Sequence, residues 1–272
     1  MRKHLLLIML IALSSIATGS LSSAVRAIDN SSQKSDFSDL TLEIATAKEE
    51  FNQLEPIPLA LTLSNKTDET ITASTALNFD YHFLTLFVRL PGGERQMIER
   101  LSMLQKFVGV GSGKIKPSQT TQLKQLVDIE LDKIFPYPGE YQLQAELMDG
   151  DSKKVIKSNH LRIRIMEPQG LDRQAFDFIK KNGNPSYFLN GYERVVDKKP
   201  LSILEEFVSR FGETAYGDYA TFQLGEVYFY GKDYEKAIKH LEKLANKPDF
   251  VFSERVKEYL SRGKEKVKHQ KP

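Results

Sequence analysis

Two short stretches near the C-terminal end constrain this chain most: Leu224-Gly225 followed by Tyr228, and Asp233 followed by Ala237 and Leu241. Leu224 and Tyr228 are four apart and stack on one helix face. Gly225 carries no side chain, so a second helix can approach closely there. Gly231-Lys232-Asp233 breaks the first helix, because Gly and Asp favour turns. Ala237 is then the small residue expected to meet Gly225, and Leu241, one turn on, closes the contact. A helical hairpin of this kind cannot bury its apolar face alone and needs neighbours. Leu201, Leu204, Phe207 and Phe211 supply a helical stripe before it, paired with a degenerate helix over 187–196. A closing helix is expected over 250–267, with Val256, Leu260 and Val267 on one side.

The spacing resembles a tetratricopeptide repeat, with Thr221 where the family has Trp, Leu241 where it has Phe, and Pro248 one residue short of the family position. The joint 211–220 is similar to that of envelope tetratricopeptide proteins resembling the Tol-Pal accessory factor, and the resemblance spans roughly residues 200–246. It implies a helical scaffold in a bacterial envelope that holds another envelope protein or a peptide. In the family the first helix lines a concave groove, and the resemblance puts Tyr219, Phe222, Glu226, Phe229 and Tyr230 on that side as the expected partner-binding residues. Aromatics are favoured as binding anchors. The alternative reading is a helix apolar all round because it is buried on both sides.

Residues 40–165 change period. Leu40, Leu42 and Ile44 alternate with polar residues, as do Ile57, Leu59, Leu61 and Leu63, then Tyr141, Leu143, Ala145 and Leu147, and finally Leu161, Ile163 and Ile165. A strongly apolar strand over 83–90 turns at Pro91-Gly92-Gly93. Short alternating strands broken by turn residues predict an antiparallel β-sandwich. The stretch 135–145, with Pro138-Gly139 leading into Tyr141, resembles the penultimate strand of bacterial immunoglobulin-like domains, and 61–65 resembles an early strand of the same class. Met97, Ile98, Leu101, Leu104 and Phe107 are spaced as a short helix inserted between strands, either a cap on the sandwich or a binding loop. The expected fold is therefore an immunoglobulin-like antiparallel β-sandwich followed by a short tetratricopeptide-like helical array.

The N-terminus is basic, then apolar over 5–17, then small and polar up to Val25-Arg26-Ala27, the pattern of a secretory signal peptide cut after Ala27 or Ala24. The apolar run is short of the roughly 20 residues that span a bilayer; an uncleaved anchor is the rival reading. Without cysteine there is neither a lipid attachment site at the cut nor any disulfide. Cleavage removes Arg2, Lys3 and Arg26 and takes the net charge from +2 to −1, which is not the composition of a nucleic-acid binder. The expected division is a signal peptide (1–27), a polar linker (28–38), the sandwich (39–167), the helical domain (168–267) and a basic tail (268–272), with a hinge at Glu167-Pro168-Gln169-Gly170.

The residues that could carry chemistry form no recognisable constellation. His82, His160, His240 and His269 lack metal-ligand spacing. The run Gly109 to Lys114 is neither a phosphate-binding loop nor a nucleophile elbow. Asp149-Gly150-Asp151 reads as a hairpin turn before it reads as a calcium loop. The expected protein is non-catalytic, exported to the periplasm or outside the cell, without cofactor or metal, and acts through an envelope protein or peptide bound by the helices. The alternative is a surface adhesin or glycan-binding protein acting through the sandwich, with Tyr81 and Tyr137 as modest candidates.

Overall fold

A computed structural model of the protein describes residues 35–73, 84–98, 102–103, 113–128, 130–189 and 201–270. The expected signal peptide, Tyr81, His82 and the run 109–112 lie outside these residues, as do Leu101, Leu104 and Phe107. Ser35–Pro272 form one compact unit.

The period-two segments become strands because alternate side chains point to opposite faces. One sheet runs β1 (Leu40–Ala45), β3 (Ile57–Asn65), β9 (Thr120–Val127) and β7 (Ser102–Met103), all antiparallel. A second runs β2 (Glu50–Asn52), β12 (Leu161–Met166), β10 (Gly139–Met148), β5 (Leu84–Arg89) and β6 (Arg95–Ile98). Here β2 lies parallel to β12 and the other pairs are antiparallel. β11 (Val155–Lys157) pairs with β10 outside this order, and β4 (Ile71–Ala73) with β8 (Gly113–Ile115) forms a small third sheet. The alternating residues of β3 and β10 are the core: Leu59, Leu61, Tyr141, Leu143, Ala145 and Leu147 are all buried. The Tyr141 hydroxyl donates to the Tyr137 carbonyl at 2.7 Å, and its ring meets Phe135 edge-on at 5.1 Å. At the outer edge of β1, Asn159 behaves like a fragment of strand: its Oδ1 accepts from Ile44 N at 2.8 Å and its Nδ2 donates to Ile44 O at 3.0 Å.

The helices are α1 (Leu131–Ile134), α2 (Gly170–Lys181), α3 (Ser186–Leu189), α4 (Leu201–Phe211), α5 (Gly217–Tyr230), α6 (Tyr234–Leu241) and α7 (Ser253–Gln270). Phe178 of α2 packs on Phe207 and Phe211 of α4, with ring centroids 5.7 and 5.5 Å apart. Gly225 fits where α5 crosses α6, since a Cβ there would lie 2.7 Å from Leu241 Cγ and Cδ2. Asp233 caps α6 by accepting from Lys236 N.

Two expectations are corrected. The chain is not an all-β immunoglobulin-like domain followed by a tetratricopeptide array. It is a mixed α/β unit of several sheets, about 39% helical and 30% strand. Its apolar core continues from Phe37 through the strands to Leu260, and the expected 167/168 boundary falls inside it. The physical reason is that the helices are sealed onto the loop between β2 and β3. Tyr216 donates its hydroxyl to Gln53 O at 2.7 Å, Tyr219 donates to Pro56 O at 3.4 Å, and Asp172 accepts from both Asn52 Nδ2 and Ala215 N at 2.9 Å. No stack of like repeats forms among the described residues: α5 is enclosed by α3, α4, α6 and α7, and most of the expected helix over 187–196 lies outside the described residues. The second correction concerns Met97 and Ile98, expected in a helix. They lie in β6, because the Pro91-Gly92-Gly93 turn folds the chain straight back on β5, with Gly93 N donating to Leu90 O and Leu90 N to Glu94 O.

Candidate functional site

The residues expected to line a groove sit on α5, whose faces are nearly all buried. Tyr219, Phe222, Glu226 and Phe229 are 9%, 0%, 4% and 6% exposed, and only Tyr230, at 54%, reaches solvent. Their cover is α7 and the segment leading into it. Phe252 stacks flat on Phe222 with centroids 4.4 Å apart, Tyr259 packs on Phe229 at 4.8 Å, and Phe250 meets Tyr219 edge-on at 5.6 Å. The five residues are thus brought together, but around an occupant from the same chain. The α7 spacing of Val256, Leu260 and Val267 signals a packed helix, yet nothing in it tells that α5 is the helix it covers.

Glu226 is the polar centre of this interface. It accepts from the Tyr259 hydroxyl at 2.7 Å and is ion-paired with Arg255, whose guanidinium lies over the Phe222 ring at 5.0 Å. Burial pushes the Glu226 carboxyl up, and Arg255 and Tyr259 pull it back only in part, leaving it at about 7. The Tyr230 and Tyr259 hydroxyls are 3.0 Å apart, which links the buried carboxylate to the surface.

The carboxylate of Asp149 accepts from Ser152 N at 2.8 Å and Ser152 Oγ at 2.7 Å, so it holds its own turn as expected. Among the described residues no group of three His, Asp or Glu could hold a metal ion, and no helix is long and apolar enough to cross a membrane.

A different surface carries exposed, convergent chemistry: the outward face of the second sheet, which with β11 has six strands. Cross-strand register places Arg95 beside Arg89, Arg89 beside Gln142, and Gln142 beside Arg162, in one row from β6 to β12. All three arginines are exposed. Neighbours in such a row stand about 5 Å apart. Arg95 lies 3.7 Å over the Phe87 ring and pairs with Glu146. In the next row Arg164 is held between Glu50 at 3.3 Å and Glu140 at 3.0 Å. Among the described residues Arg162, which is exposed, makes no ion pair, and Arg89 donates only to Gly93 O at 3.5 Å. This row is invisible to a linear reading because its members are up to 73 positions apart in sequence and only strand register joins them.

Tyr137 stands at the end of the same sheet. It is 67% exposed and lies between Pro136 and Pro138. Its backbone is held from both sides by the Tyr141 hydroxyl, which accepts from Tyr137 N at 3.3 Å and donates to Tyr137 O. Gly139, just beyond it, lies against Pro91 of the β5–β6 turn.

No family model matches the chain, and no curated protein matches it. Among solved structures it is similar to the sporulation control protein Spo0M of Bacillus subtilis, at 14% identity and a TM-score of 0.30, over 53% of this chain and 56% of that one. It is also similar to the β-glucosidase EmGH1 of Erythrobacter marinus, at 12% identity and a TM-score of 0.29, over 47% of this chain and 15% of the other. A FixG-related protein of Vibrio parahaemolyticus matches at 12% identity and a TM-score of 0.27, over 48% of this chain and 98% of its own. The chain spans little more than half of the first of these and less of the second. At such scores the likenesses carry no argument about fold or activity.

Proposed function

We propose that this chain is a non-catalytic, exported interaction scaffold of a bacterial envelope, and that its partner protein or peptide docks on the outward face of the six-stranded sheet. The observation that carries this reading is the contrast between two surfaces. The aromatic side of α5 is filled by α7, whereas the sheet face presents exposed Arg89 and Arg162, paired with no carboxylate among the described residues. Arginine and aromatic residues dominate the energetics of protein interfaces. Export is supported by the N-terminal basic, apolar and small-residue pattern.

A photo-crosslinking residue at Gln144, beside Phe87 on the sheet face, tests the reading in intact cells against the same residue at Phe222. Adducts with an envelope protein are expected from position 144 and not from 222. Adducts confined to 222 would return the partner to the helices. The second reading, glycan binding, is favoured by Phe87 with Gln144 beside it and Gln142 in the adjacent row; it predicts a position-144 adduct removed by glycan digestion and not by proteolysis.

A further inference from the structure

The chemistry of this face selects among partners. Arg95 is committed to Glu146, and Arg164 to Glu50 and Glu140. Among the described residues of this face two guanidinium groups remain to meet anions: Arg89 and Arg162, separated in the row by Gln142. Two strand spacings put their backbones about 10 Å apart. A guanidinium presents a planar fork that suits a carboxylate bidentately. The three carboxylates on the same face repel a densely charged polymer but tolerate a chain whose charges are spaced to fall on the arginines and whose remaining groups are neutral. In a polyproline II segment, residues three apart lie on one side, about 9 Å apart, which matches the arginine pair. A polyproline II segment is already extended before it binds, so it loses little freedom on docking.

We infer that the outward face of the six-stranded sheet is a docking site for an extended, proline-rich acidic segment of a partner protein, with carboxylates at every third position engaging Arg89 and Arg162. This rests on the sheet face being the interaction surface proposed above.

The test is fluorescence anisotropy with the exported chain purified from the envelope fraction and a labelled peptide of repeated Glu-Pro-Pro units. A peptide of the same composition with its glutamates in one block is the comparison. The repeating peptide is expected to bind at least tenfold more tightly than the blocked one, and its binding should weaken as salt rises. R89E/R162E should lose at least tenfold in affinity, while K266E/K268E in the basic C-terminal helix should leave affinity unchanged. Equal binding of the two peptides, or loss through K266E/K268E rather than R89E/R162E, would overturn the inference. So would preferential binding of a sulfated polysaccharide or of anionic phospholipid vesicles through the same arginines. Melting curves verify that each variant folds, and R89Q/R162Q substitutes where the charge reversal does not. If the repeating peptide fails to bind while the Gln144 crosslink to a protein persists, this inference fails and the scaffold reading stands; if the crosslink is absent too, both fail.

Discussion

Gly225 and Glu226 are adjacent on α5 and face opposite demands. At Gly225 the constraint is steric: any Cβ would overlap Leu241 Cγ and Cδ2. Gly225→Ala is expected to destabilise by about 1–3 kcal/mol despite the better helix propensity of Ala. Leu241→Ala in the same chain should recover part of the loss, and a double-mutant cycle in urea would measure that coupling. Glu226 is constrained electrostatically. Its carboxyl is raised from 4.5 to about 7, with burial the largest cause. A raised carboxyl means the native state binds the proton more tightly than the unfolded one. Its contribution to stability is therefore fully present below about pH 4.5 and is lost as pH rises through about 7, by on the order of 3 kcal/mol. Glu226→Gln should remove this component of the slope, read from denaturation midpoints between pH 5 and 8. The glycine was legible in the sequence because its chemistry is local. The role of the carboxylate was not, because Arg255 and Tyr259 lie 29 and 33 residues away.

The elements differ in how far their sequence discloses them. The strands of β3 and β10 announce themselves because one face is buried and the other half-exposed, which gives a clean alternation. α4, with one buried stripe, ends at Phe211 as expected, while residues 190–200 before it lie outside the described ones. α5 is harder: packed on all sides, it loses the single apolar stripe that would mark a core face, and groove and core then look alike. β6 defeats helical spacing because four residues fit either period and the glycine turn before them decides. The element that resolves the ambiguity of α5 is α7. Phe252→Ala with Tyr259→Ala should destabilise by several kcal/mol, since each large-to-small change in a core costs about 3–5 kcal/mol. The loss would show as a lower denaturation midpoint with newly exposed apolar surface binding a hydrophobic dye. A variant that keeps its midpoint would mean that α7 rests on α5 without supporting it.

At the scale of the molecule, the junction through Asp172, Tyr216 and Tyr219 decides whether strands and helices unfold together. Far-ultraviolet circular dichroism and tyrosine fluorescence should report one coincident transition. Asp172→Ala removes the acceptor of Asn52 Nδ2 and Ala215 N, costs about 1–3 kcal/mol, and is expected to separate the two signals along the denaturant axis. Little of this was legible: a Pro-Gly pair reads as a hinge, and only the hydrogen bonds across it tell that the hinge is locked. The Asn159 amide on β1 has a consequence of a different order. A strand at the end of a sheet offers its backbone to any other strand that drifts past. By occupying the amide and carbonyl of Ile44 with its own side chain, Asn159 withholds that invitation. In a crowded compartment it is a guard against polymerisation, and its loss would be felt in the company the protein keeps before it was felt in the fold itself.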